Sequence, residues 1–361
     1  MNTITRDLPR ITAVGTGVPP DSYSQQDLLK LFAIEDERIR SVFLNSAIDR
    51  RHLVLPPLGQ DGARSTESQG ELLRKHVDTG LAMARTAVET CLRRARAQPA
   101  DVAYLCCVSS TGFICPGFSA LLIGELGLRP ECSRLDVVGM GCNAGLNAMA
   151  AVAGWATANP GRLALMVCIE ACSAAYVFDG TMRTSVVNSL FGDGSAAVLV
   201  VAGGRDPRPV PELLGFASRI IPEAVGAMRY DWDDEHGRFS FFLDPEVPYV
   251  VGAHAEDTVD RLLDAAGLRR SQIAHWVVHS GGKKVIDSVR LNLGLSRHDV
   301  RHTLSVLRDY GNLSSGSFLF SYDRLLAERG PAAGDYGVLM TMGPGSTIET
   351  ALLHWPQGGI Q

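Results

Sequence analysis

The feature that most constrains the fold is an alternation of strand-like and helical segments that occurs twice along the chain. Four runs of the first half are strand-like: "DVAYLCCVSS", "SRLDVVGM", "GRLALMVCIE" and "GSAAVLVVAG". The helical stretches between and around them are 70–96, 117–127 and 143–157. After a break at 203–211, "HWVVHS", helical "KKVIDSVRLNLG", helical 298–309 and 316–329, and the strands "DYGVLMTMG" and "STIETALLHW" repeat the layout. This pattern predicts an α/β protein with an internal duplication.

A chain of 361 residues is too long for one ordinary core and suits two similar domains. We place the first at 1–205 and the second at 206–361. In each half a strand ends at a potentially reactive residue, Cys142 or His279, and a helix follows. With 46% hydrophobic and 20% charged residues, the composition is that of a globular enzyme-like protein with a large core.

Charge and local composition exclude several classes of protein. The net charge is −5 and no run of Lys or Arg forms a basic stripe, which argues against a nucleic-acid partner. The N-terminus lacks the pattern of a secretory signal, and the most apolar stretch, 163–178, is short for a membrane span and contains Glu170. These two observations predict a cytoplasmic protein. The eight cysteines show no C-x-x-C spacing, so we expect neither a metal site nor a disulfide framework.

Cys142, in "DVVGMGCNAGLNAMAAVAGWA", is a candidate nucleophile. It stands where a strand meets a helix, and a helix N-terminus lowers a thiol pKa from its ordinary value of about 8.5. Gly141 and Gly145 leave room for a backbone or a carbonyl group near the sulfur. These are the needs of acyl transfer, although a cysteine entering a small-residue helix also packs simply as a small apolar residue.

The second half offers partners for such a thiol. His279 ends the apolar run "HWVVH" and is expected at the carboxyl end of a strand, where open α/β sheets bind ligands. Asn312, in "DYGNLSSGSFLF", lies in a turn before a helix. The alternatives are a buried histidine with its hydrogen bonds satisfied and an asparagine that caps a helix or closes a turn.

Five strings together resemble the type III polyketide synthases, the chalcone synthase-like branch of the thiolase superfamily. They are "GMGCNAGLNA", "LFGDGSAAV", "VVHSGGKKVID", "DYGNLSSGSFLF" and "GVLMTMGPGSTIE", in the order and approximate spacing of the family. The resemblance covers nearly the whole chain. It implies a thiolase-like five-layered αβαβα duplicated fold, a homodimer, CoA thioesters as substrates and no cofactor.

The resemblance also implies the catalytic roles. Cys142 would carry the starter and the growing chain as a thioester. His279 and Asn312 would donate hydrogen bonds to the thioester oxygen of malonyl-CoA as it loses CO₂, and His279 would keep the Cys142 thiol ionised. A well-placed donor to such an oxyanion is worth about 3–4 kcal/mol in the transition state.

Cavity and CoA-binding residues are assigned in the same way. Phe241 resembles the aromatic gate of the family, and Phe191 is the competing choice, which we read instead as part of a structural turn. The loop Gly343-Pro344-Gly345 resembles the loop that shapes the cavity. At Cys115 the family usually has a methionine that projects into the partner's cavity, so the shape of a shared cavity is open here.

Two segments are candidates for CoA binding. Gly281, Gly282, Lys283 and Lys284 open a helix and offer N–H donors and positive charge suited to a phosphorylated ligand. Arg50 and Arg51 resemble the basic cluster at the mouth of the CoA tunnel, with solvated surface arginines as the alternative.

Shorter strings narrow the branch of the family. "VFLNSAIDRRHL", "EACSAAY", "GTMRT", "MRYDWD" and "VGAHAE" resemble bacterial members that make a dihydroxyphenylacetyl thioester, a precursor of dihydroxyphenylglycine in glycopeptide antibiotics. Such an enzyme would condense four malonyl-CoA, used as both starter and extender: four three-carbon units minus four CO₂ leave eight carbons. An enoyl-CoA hydratase-like enzyme is the expected auxiliary partner.

Several other interpretations of the sequence remain open, and some of them share much of this chemistry. Another type III synthase, for example one that makes tetrahydroxynaphthalene from five malonyl units, would use the same three catalytic residues. A fatty-acid-initiation ketoacyl synthase would also use Cys, His and Asn, but with an acyl carrier protein. A non-catalytic subunit and a cysteine hydrolase belong to other classes.

Overall fold

The computed structural model describes residues 7–58, 64, 66–177, 179–203, 210–328 and 330–357. Its strands are β1 (Pro9–Gly17), β2 (Ser22–Ser24), β3 (Arg50–His52), β4 (Val102–Ser109), β5 (Ser133–Val138), β6 (Leu163–Glu170), β7 (Gly194–Ala202), β8 (Glu212–Ile220), β9 (Met228–Asp233), β10 (Arg238–Leu243), β11 (Ile273–Val278), β12 (Tyr336–Gly343) and β13 (Thr347–His354). Its α-helices are α1 (Gln25–Leu31), α2 (Glu37–Leu44), α3 (Gln69–Ala95), α4 (Phe118–Leu126), α5 (Ala144–Ala158), α6 (Met182–Leu190), α7 (Val247–Asp264), α8 (Lys283–Asn292), α9 (Arg301–Tyr310) and α10 (Ser317–Ala327).

The apolar runs form strands because both of their faces are covered. In β4, Cys106 and Val108 face one core cluster while Leu105 and Cys107 face another. A strand buried on both faces has no solvent-facing positions, so its sequence is a continuous apolar run instead of an alternating one. The strands predicted in "DVAYLCCVSS", "GRLALMVCIE" and "GSAAVLVVAG" are confirmed as β4, β6 and β7.

The order of the strands repeats between the two halves. The sheet reads β11-β12-β13-β8-β1-β7-β6-β4-β5. From the centre outwards, β8, β13, β12 and β11 correspond to β1, β7, β6 and β4. The pairings correspond as well: β6–β7 and β12–β13 are antiparallel, while β4–β6 and β11–β12 are parallel. The topology is therefore that of a duplication, as the sequence predicted.

The two half-sheets meet at a narrow junction. Arg10 of β1 pairs with Glu212 of β8, and the Ile11 N–H donates to the Pro211 carbonyl at 3.0 Å. The segment between the two half-sheets contains residues 204–209, so the predicted domain boundary at 205/206 lies outside the described residues. That boundary stays a prediction.

Five layers follow from which helix covers which sheet. Helix α3 packs on the first half-sheet, and α7 packs on the second. Helices α5 and α10 lie between them and contact strands of both half-sheets. The thiolase-like αβαβα arrangement is thus confirmed, with α5 and α10 as its central layer.

Small residues allow the central helices to approach each other closely. A Cβ atom placed on Gly145 of α5 would lie 2.3 Å from the Ser315 carbonyl oxygen and 2.9 Å from the Phe318 ring. Gly145 was expected to make room near the sulfur of Cys142, but the group it accommodates is the segment that leads into α10. This close approach places the start of α10 beside the start of α5.

The cysteines and the apolar character of the helices can both be described from the structure. All eight cysteines are free, and all except Cys115 are buried. None of the helices in the described ranges combines the length and apolar character needed to cross a bilayer.

Gly145→Ala tests the close packing of the central helices. The added methyl group has no space, so we expect a loss of about 1–3 kcal/mol in stability and a lower melting temperature. Gly154→Ala in the same helix is the matched control, because a Cβ there meets no atom within 4 Å. It should leave stability unchanged or raise it slightly. Equal melting temperatures for the two variants would contradict this packing.

Candidate active site

Cys142 lies in a tight turn between β5 and α5. A 3₁₀ turn, Gly141–Asn143, leads directly into the helix, and the Cys142 side chain is buried. Gly141 has a φ of 74°, and a Cβ atom there would lie 2.3 Å from the Pro344 ring. Glycine is required at this position by the backbone conformation and by the contact.

The loop Gly343-Pro344-Gly345 contacts the backbone of the nucleophile. A Cβ atom on Gly343 would lie 2.9 Å from the Cys142 nitrogen and 2.5 Å from Asn143 Oδ1. The end of β12 is therefore packed directly on the turn that carries Cys142. This loop of the second half therefore contacts the turn of the first half that carries Cys142, and its role in shaping a cavity stays a prediction.

Asn312 is fixed by the backbone and points its amide toward the thiol. The backbone N–H of Asn312 donates to the Leu190 carbonyl at 2.8 Å, and the side-chain Oδ1 accepts from the backbone N–H of Ser314 at 2.9 Å. Since Oδ1 is occupied, the amide nitrogen is the group left to donate. The Asn312 side chain hydrogen-bonds Cys142 and lowers the pKa of the thiol. Asn312 therefore closes a turn, and its side chain also faces the thiol.

His279 follows β11 at its carboxyl end, as predicted. The backbone N–H of His279 donates to the Met340 carbonyl of β12 at 2.8 Å. Three residues after Met340, the same strand reaches Gly343 and so the backbone of Cys142. The imidazole is buried, and its Nδ1 has no hydrogen-bond partner within the described ranges. The described residues therefore leave one imidazole nitrogen of His279 unpaired.

Burial opposes the ionised forms expected for Cys142 and His279. Burial raises the pKa of the Cys142 thiol to about 12, and the negative charge of Glu170 raises this pKa as well. The hydrogen bonds from Ser314 and Asn312 lower the pKa of the thiol, but by less than burial raises it. Burial also lowers the pKa of His279 to about 3. In this structure burial therefore acts against the lowered thiol pKa and the ion pair that the sequence predicted, and it outweighs the hydrogen bonds from Ser314 and Asn312.

Phe241 and Phe191, the two candidates for the aromatic gate, lie in one buried cluster. Both rings are buried, with their centroids 6.3 Å apart, and Tyr176 packs between them at 4.2 Å from Phe191 and 5.4 Å from Phe241. These three residues share an apolar cluster with Cys142. The backbone at Phe191 also bridges to Asn312.

The two arginines predicted to bind CoA differ in their exposure to solvent. Arg51 is 1% exposed and donates to the Phe191 carbonyl at 2.6 Å and to Gln25 Oε1 at 2.9 Å. The alternative of a solvated surface arginine is wrong for Arg51, because these bonds hold it inside the fold. Arg50 is exposed beside it in β3.

The helix predicted at the glycine pair is confirmed as α8. Gly282 precedes it with a φ of 132°, and Lys284 is exposed in its first turn. Gly281 lies against the His279 ring, since a Cβ there would be 3.0 Å from the imidazole. Lys283 pairs with Asp287 at 2.6 Å. Cys115 is exposed on the loop before α4.

A cavity of about 260 Å³ adjoins the aromatic residues. Arg51, Arg64 and Arg238 line it, together with Tyr176 and Phe191. Arg51 Nε, Arg64 Nε and Arg238 Nη1 are buried without a hydrogen-bond partner in the described part of the chain. Arg64 and Arg238 were missed from the sequence because no cluster of basic residues marks either position, although Arg238 stands three residues before the predicted gate Phe241.

Polar residues around the thiol were also missed. The Ser314 hydroxyl donates to Cys142 Sγ at 3.5 Å, and Ser110 Oγ lies 2.8 Å from Ser314 Oγ. Glu170 is fully buried at the end of β6 and accepts from Ser110. The available signal was an acidic residue that ends an apolar strand, since a buried carboxylate needs partners. Among the described residues, no group of three His, Cys, Asp or Glu is placed to hold a metal ion.

A buried thiol at a helix start, hydrogen-bonded by Asn312 and Ser314 between two fused half-sheets, is the arrangement of a thiolase-like acyl-transfer site. Family models of chalcone and stilbene synthases match the chain over residues 3–207 for the N-terminal domain and 212–356 for the C-terminal domain. The chain belongs to this family, the type III polyketide synthases.

Individual relatives are similar over almost the whole chain. The 3,5-dihydroxyphenylacetyl-CoA synthase of Streptomyces toyocaensis is 64% identical over 351 residues, which cover 96% of this chain and 90% of that protein. The 1,3,6,8-tetrahydroxynaphthalene synthase of Streptomyces peucetius is 30% identical over 96% of this chain and 93% of its own length. The crystal structure of the 1,3,6,8-tetrahydroxynaphthalene synthase of Streptomyces coelicolor has a TM-score of 0.87 and 26% identity, covering 96% of this chain and 99% of that one.

The buried imidazole makes stability depend on pH. The pKa of His279 is about 3 in the folded protein and about 6.5 in an unfolded chain. The unfolded state therefore binds the extra proton, so stability falls as the pH drops below about 6.5. Between pH 7.5 and 5.5 we expect His279 to account for a loss of about 1 kcal/mol.

Denaturant unfolding of His279→Gln at the two pH values measures this contribution. The variant should lose less stability on acidification than the unmodified protein, while the exposed His298→Gln should lose as much as the unmodified protein. His76, whose pKa burial lowers to about 4, adds to the slope in all three proteins. An unchanged slope in His279→Gln would contradict the neutral imidazole.

Proposed function

We propose that this polyketide synthase condenses four malonyl-CoA, as starter and extender, into a 3,5-dihydroxyphenylacetyl thioester. The observation that carries the proposal is the 64% identity to a protein of that activity over 96% of the chain, together with a buried thiol that Asn312 and Ser314 hydrogen-bond. In this proposal the product serves dihydroxyphenylglycine formation for glycopeptide antibiotics.

Cys142 is the proposed carrier of the acyl chain. Each extension begins when malonyl-CoA loses CO₂ and negative charge develops on its thioester oxygen. The Asn312 amide, whose Oδ1 is already occupied, and the His279 imidazole donate to that oxygen. The enolate carbon then attacks the Cys142 thioester and lengthens the chain by two carbons. A neutral imidazole suits this role because it still carries one N–H donor.

The aromatic cluster supports the decarboxylation step. Phe191, Phe241 and Tyr176 surround the approach to Cys142 with apolar surface. In an apolar site with little water, hydrogen bonds to a developing oxyanion are stronger than in bulk solvent. We assign these rings the role of excluding water while CO₂ leaves.

The arginine-lined cavity is the proposed site for the anionic part of malonyl-CoA. Arg51, Arg64 and Arg238 each present a buried guanidinium nitrogen without a partner in the described ranges, and guanidinium groups suit phosphate and carboxylate oxygens. Arg50, Gly281 and Lys284 remain proposals for the outer part of the same ligand. Lys284 supports this by its place in the first turn of α8, where N–H groups favour anions.

A homodimer is the proposed assembly. Strand β5 ends the order of the sheet and exposes Leu135 and Val138, and Phe113 on the nearby loop is 73% exposed. An apolar edge strand beside an exposed aromatic supports pairing with a second copy. In that dimer, the loop with Cys115 would project into the partner's cavity.

Further parts of the proposal concern partners and setting. The chemistry uses CoA thioesters as substrates and needs no cofactor. An enoyl-CoA hydratase-like enzyme is proposed to assist aromatisation by aiding loss of water. The cytoplasmic location stays a prediction.

Mass spectrometry of the products tests the proposed function. With malonyl-CoA alone, the purified protein should form an eight-carbon dihydroxyphenylacetyl product, and the hydratase-like enzyme should increase its yield. Cys142→Ala should form none, because no acyl-enzyme exists. A ten-carbon naphthalene, a requirement for an acyl carrier protein, or undiminished product from Cys142→Ala would contradict the proposal.

Arg238→Met tests the arginine-lined cavity. Loss of one charged hydrogen bond to the ligand should raise KM for malonyl-CoA roughly tenfold, the equivalent of about 1.4 kcal/mol, with a smaller change in kcat. Arg229→Met in the neighbouring strand is the matched control, because that arginine is exposed. Equal KM values in the two variants would remove Arg238 from the binding site.

A further inference from the structure

The arginine-lined cavity lies next to the apolar cluster around the nucleophile. Cys172, Tyr176 and Phe191 line the cavity, and the same three residues belong to the cluster that contains Cys142. The cavity has a volume of about 260 Å³, whereas sites for whole ligands of drug size measure about 300–1,000 Å³. It therefore suits a small acidic group at the end of an acyl chain and is too small for the nucleotide of CoA.

The arginines of the cavity are fixed in place and still have hydrogen-bond donors to offer. Arg51 is 1% exposed and held by two hydrogen bonds, and Arg64 Nη1 donates to the Pro56 carbonyl at 2.5 Å. Arg238 is 4% exposed. Each of the three keeps one buried nitrogen without a partner in the described part of the chain. A buried donor without an acceptor is unfavourable, and a carboxylate supplies two acceptor oxygens.

The charges around these arginines leave room for one added anion. Glu67 in the wall pairs with Lys75 at 2.5 Å, so the two charges cancel. Asp179 in the wall and the buried Asp193, which interacts with one of the arginines, contribute one negative charge each. His236 is exposed at the rim. Three guanidinium groups thus face two carboxylates, and a singly charged carboxylate on the ligand balances them.

Binding of this kind opposes decarboxylation of the group that is bound. When a malonyl thioester loses CO₂, the electron pair of the breaking carbon–carbon bond moves toward the thioester oxygen. The negative charge therefore leaves the guanidinium groups, and an interaction that is stronger in the ground state than in the transition state slows the step. A malonyl carboxylate in the cavity is kept, whereas the extender loses its own CO₂ beside Asn312 and His279.

We infer that the arginine-lined cavity holds the carboxylate of the starter malonyl group and keeps it on the growing chain until ring closure, an inference that rests on the proposed function. The starter is transferred to Cys142 as a malonyl group. Each of three extensions then releases one CO₂ from the incoming malonyl-CoA. The result is a nine-carbon chain that is a thioester at one end and the carboxylate of the starter at the other.

Ring closure releases the fourth CO₂. The bond to the terminal carboxylate breaks, and its electron pair forms the bond from the adjacent carbon to the third carbon, counted from the thioester carbonyl. The oxygen of that third carbon takes a proton from solvent and leaves as water with a second hydrogen from the ring, and the two remaining ring ketones enolise to hydroxyl groups. An acetyl starter would offer a methyl group instead, from which a base would first have to remove a proton.

Malonyl-CoA labelled with ¹³C at its free carboxyl carbon tests the inference. The full-length protein is mixed with it, the reaction is quenched at short times, and the protein is digested in the cold, so that β-keto acids keep their CO₂. Mass spectrometry then follows the peptide that carries Cys142. We expect a malonyl group as the first acyl group, one labelled carbon in each extended chain and no label in the released eight-carbon product.

Two arginine variants connect the label to the cavity. In Arg238→Met and in Arg64→Met, the starter should lose its carboxylate early, and the ratio of labelled to unlabelled chains on Cys142 should fall roughly tenfold. Arg229→Met is the matched control, because that arginine is exposed and does not line the cavity, and it should keep the label. Melting temperatures show whether each variant is folded, and the measurement on the unmodified protein needs no variant.

The inference and the proposed function fail in different ways. An acetyl group as the first acyl group on Cys142 of the unmodified protein, or extended chains without label, overturns the inference while the eight-carbon product still forms. Equal retention of label in all three folded arginine variants overturns it as well. Failure to form the eight-carbon product, or no acyl group on Cys142 at any time, overturns the proposed function itself.

Discussion

The contact between the end of β12 and the turn that carries Cys142 is the interaction on which the site depends. Gly343 lies against the Cys142 nitrogen and Pro344 lies against Gly141, with no space for a Cβ atom at either glycine. Cys142 comes from the first half of the duplication, whereas Asn312, Ser314 and the loop after β12, which contact it or its turn, come from the second. Asn312 and Ser314 reach the thiol because the segment that leads into α10 packs closely against the start of α5. His279 is held by β12, the strand that ends at this contact.

Burial then determines the electrostatic character of the centre. Removal from water favours a neutral thiol and a neutral imidazole, and it also raises the pKa of Glu170. A site of this kind suits a reaction in which charge develops only briefly, on a thioester oxygen, because fixed hydrogen-bond donors then have no solvent to compete with. Arg51, Arg64 and Arg238 line the adjoining cavity, and each has a buried guanidinium nitrogen without a partner among the described residues.

The repeat of strands and helices was predictable because periodicity and buried apolar runs are local properties of the chain. Cys142, His279 and Asn312 were also recognisable, since each stands at the end of a regular element in a distinctive string. The burial of Arg51 was not predictable, because its partner Gln25 is distant in sequence and its partner Phe191 accepts through a backbone carbonyl. Ser110 and Ser314 were missed for a related reason: serines are common, and only the fold reveals that two of them connect a carboxyl group to a thiol.

The most direct test of the account is to identify the residue that becomes acylated. After brief incubation with malonyl-CoA, the intact protein is digested and each of the eight cysteine-containing positions is examined by tandem mass spectrometry. The account predicts an acyl group on Cys142, with the other seven cysteines unmodified. Acylation at a different cysteine, or turnover of malonyl-CoA with no acyl group on Cys142 at any time, would contradict it.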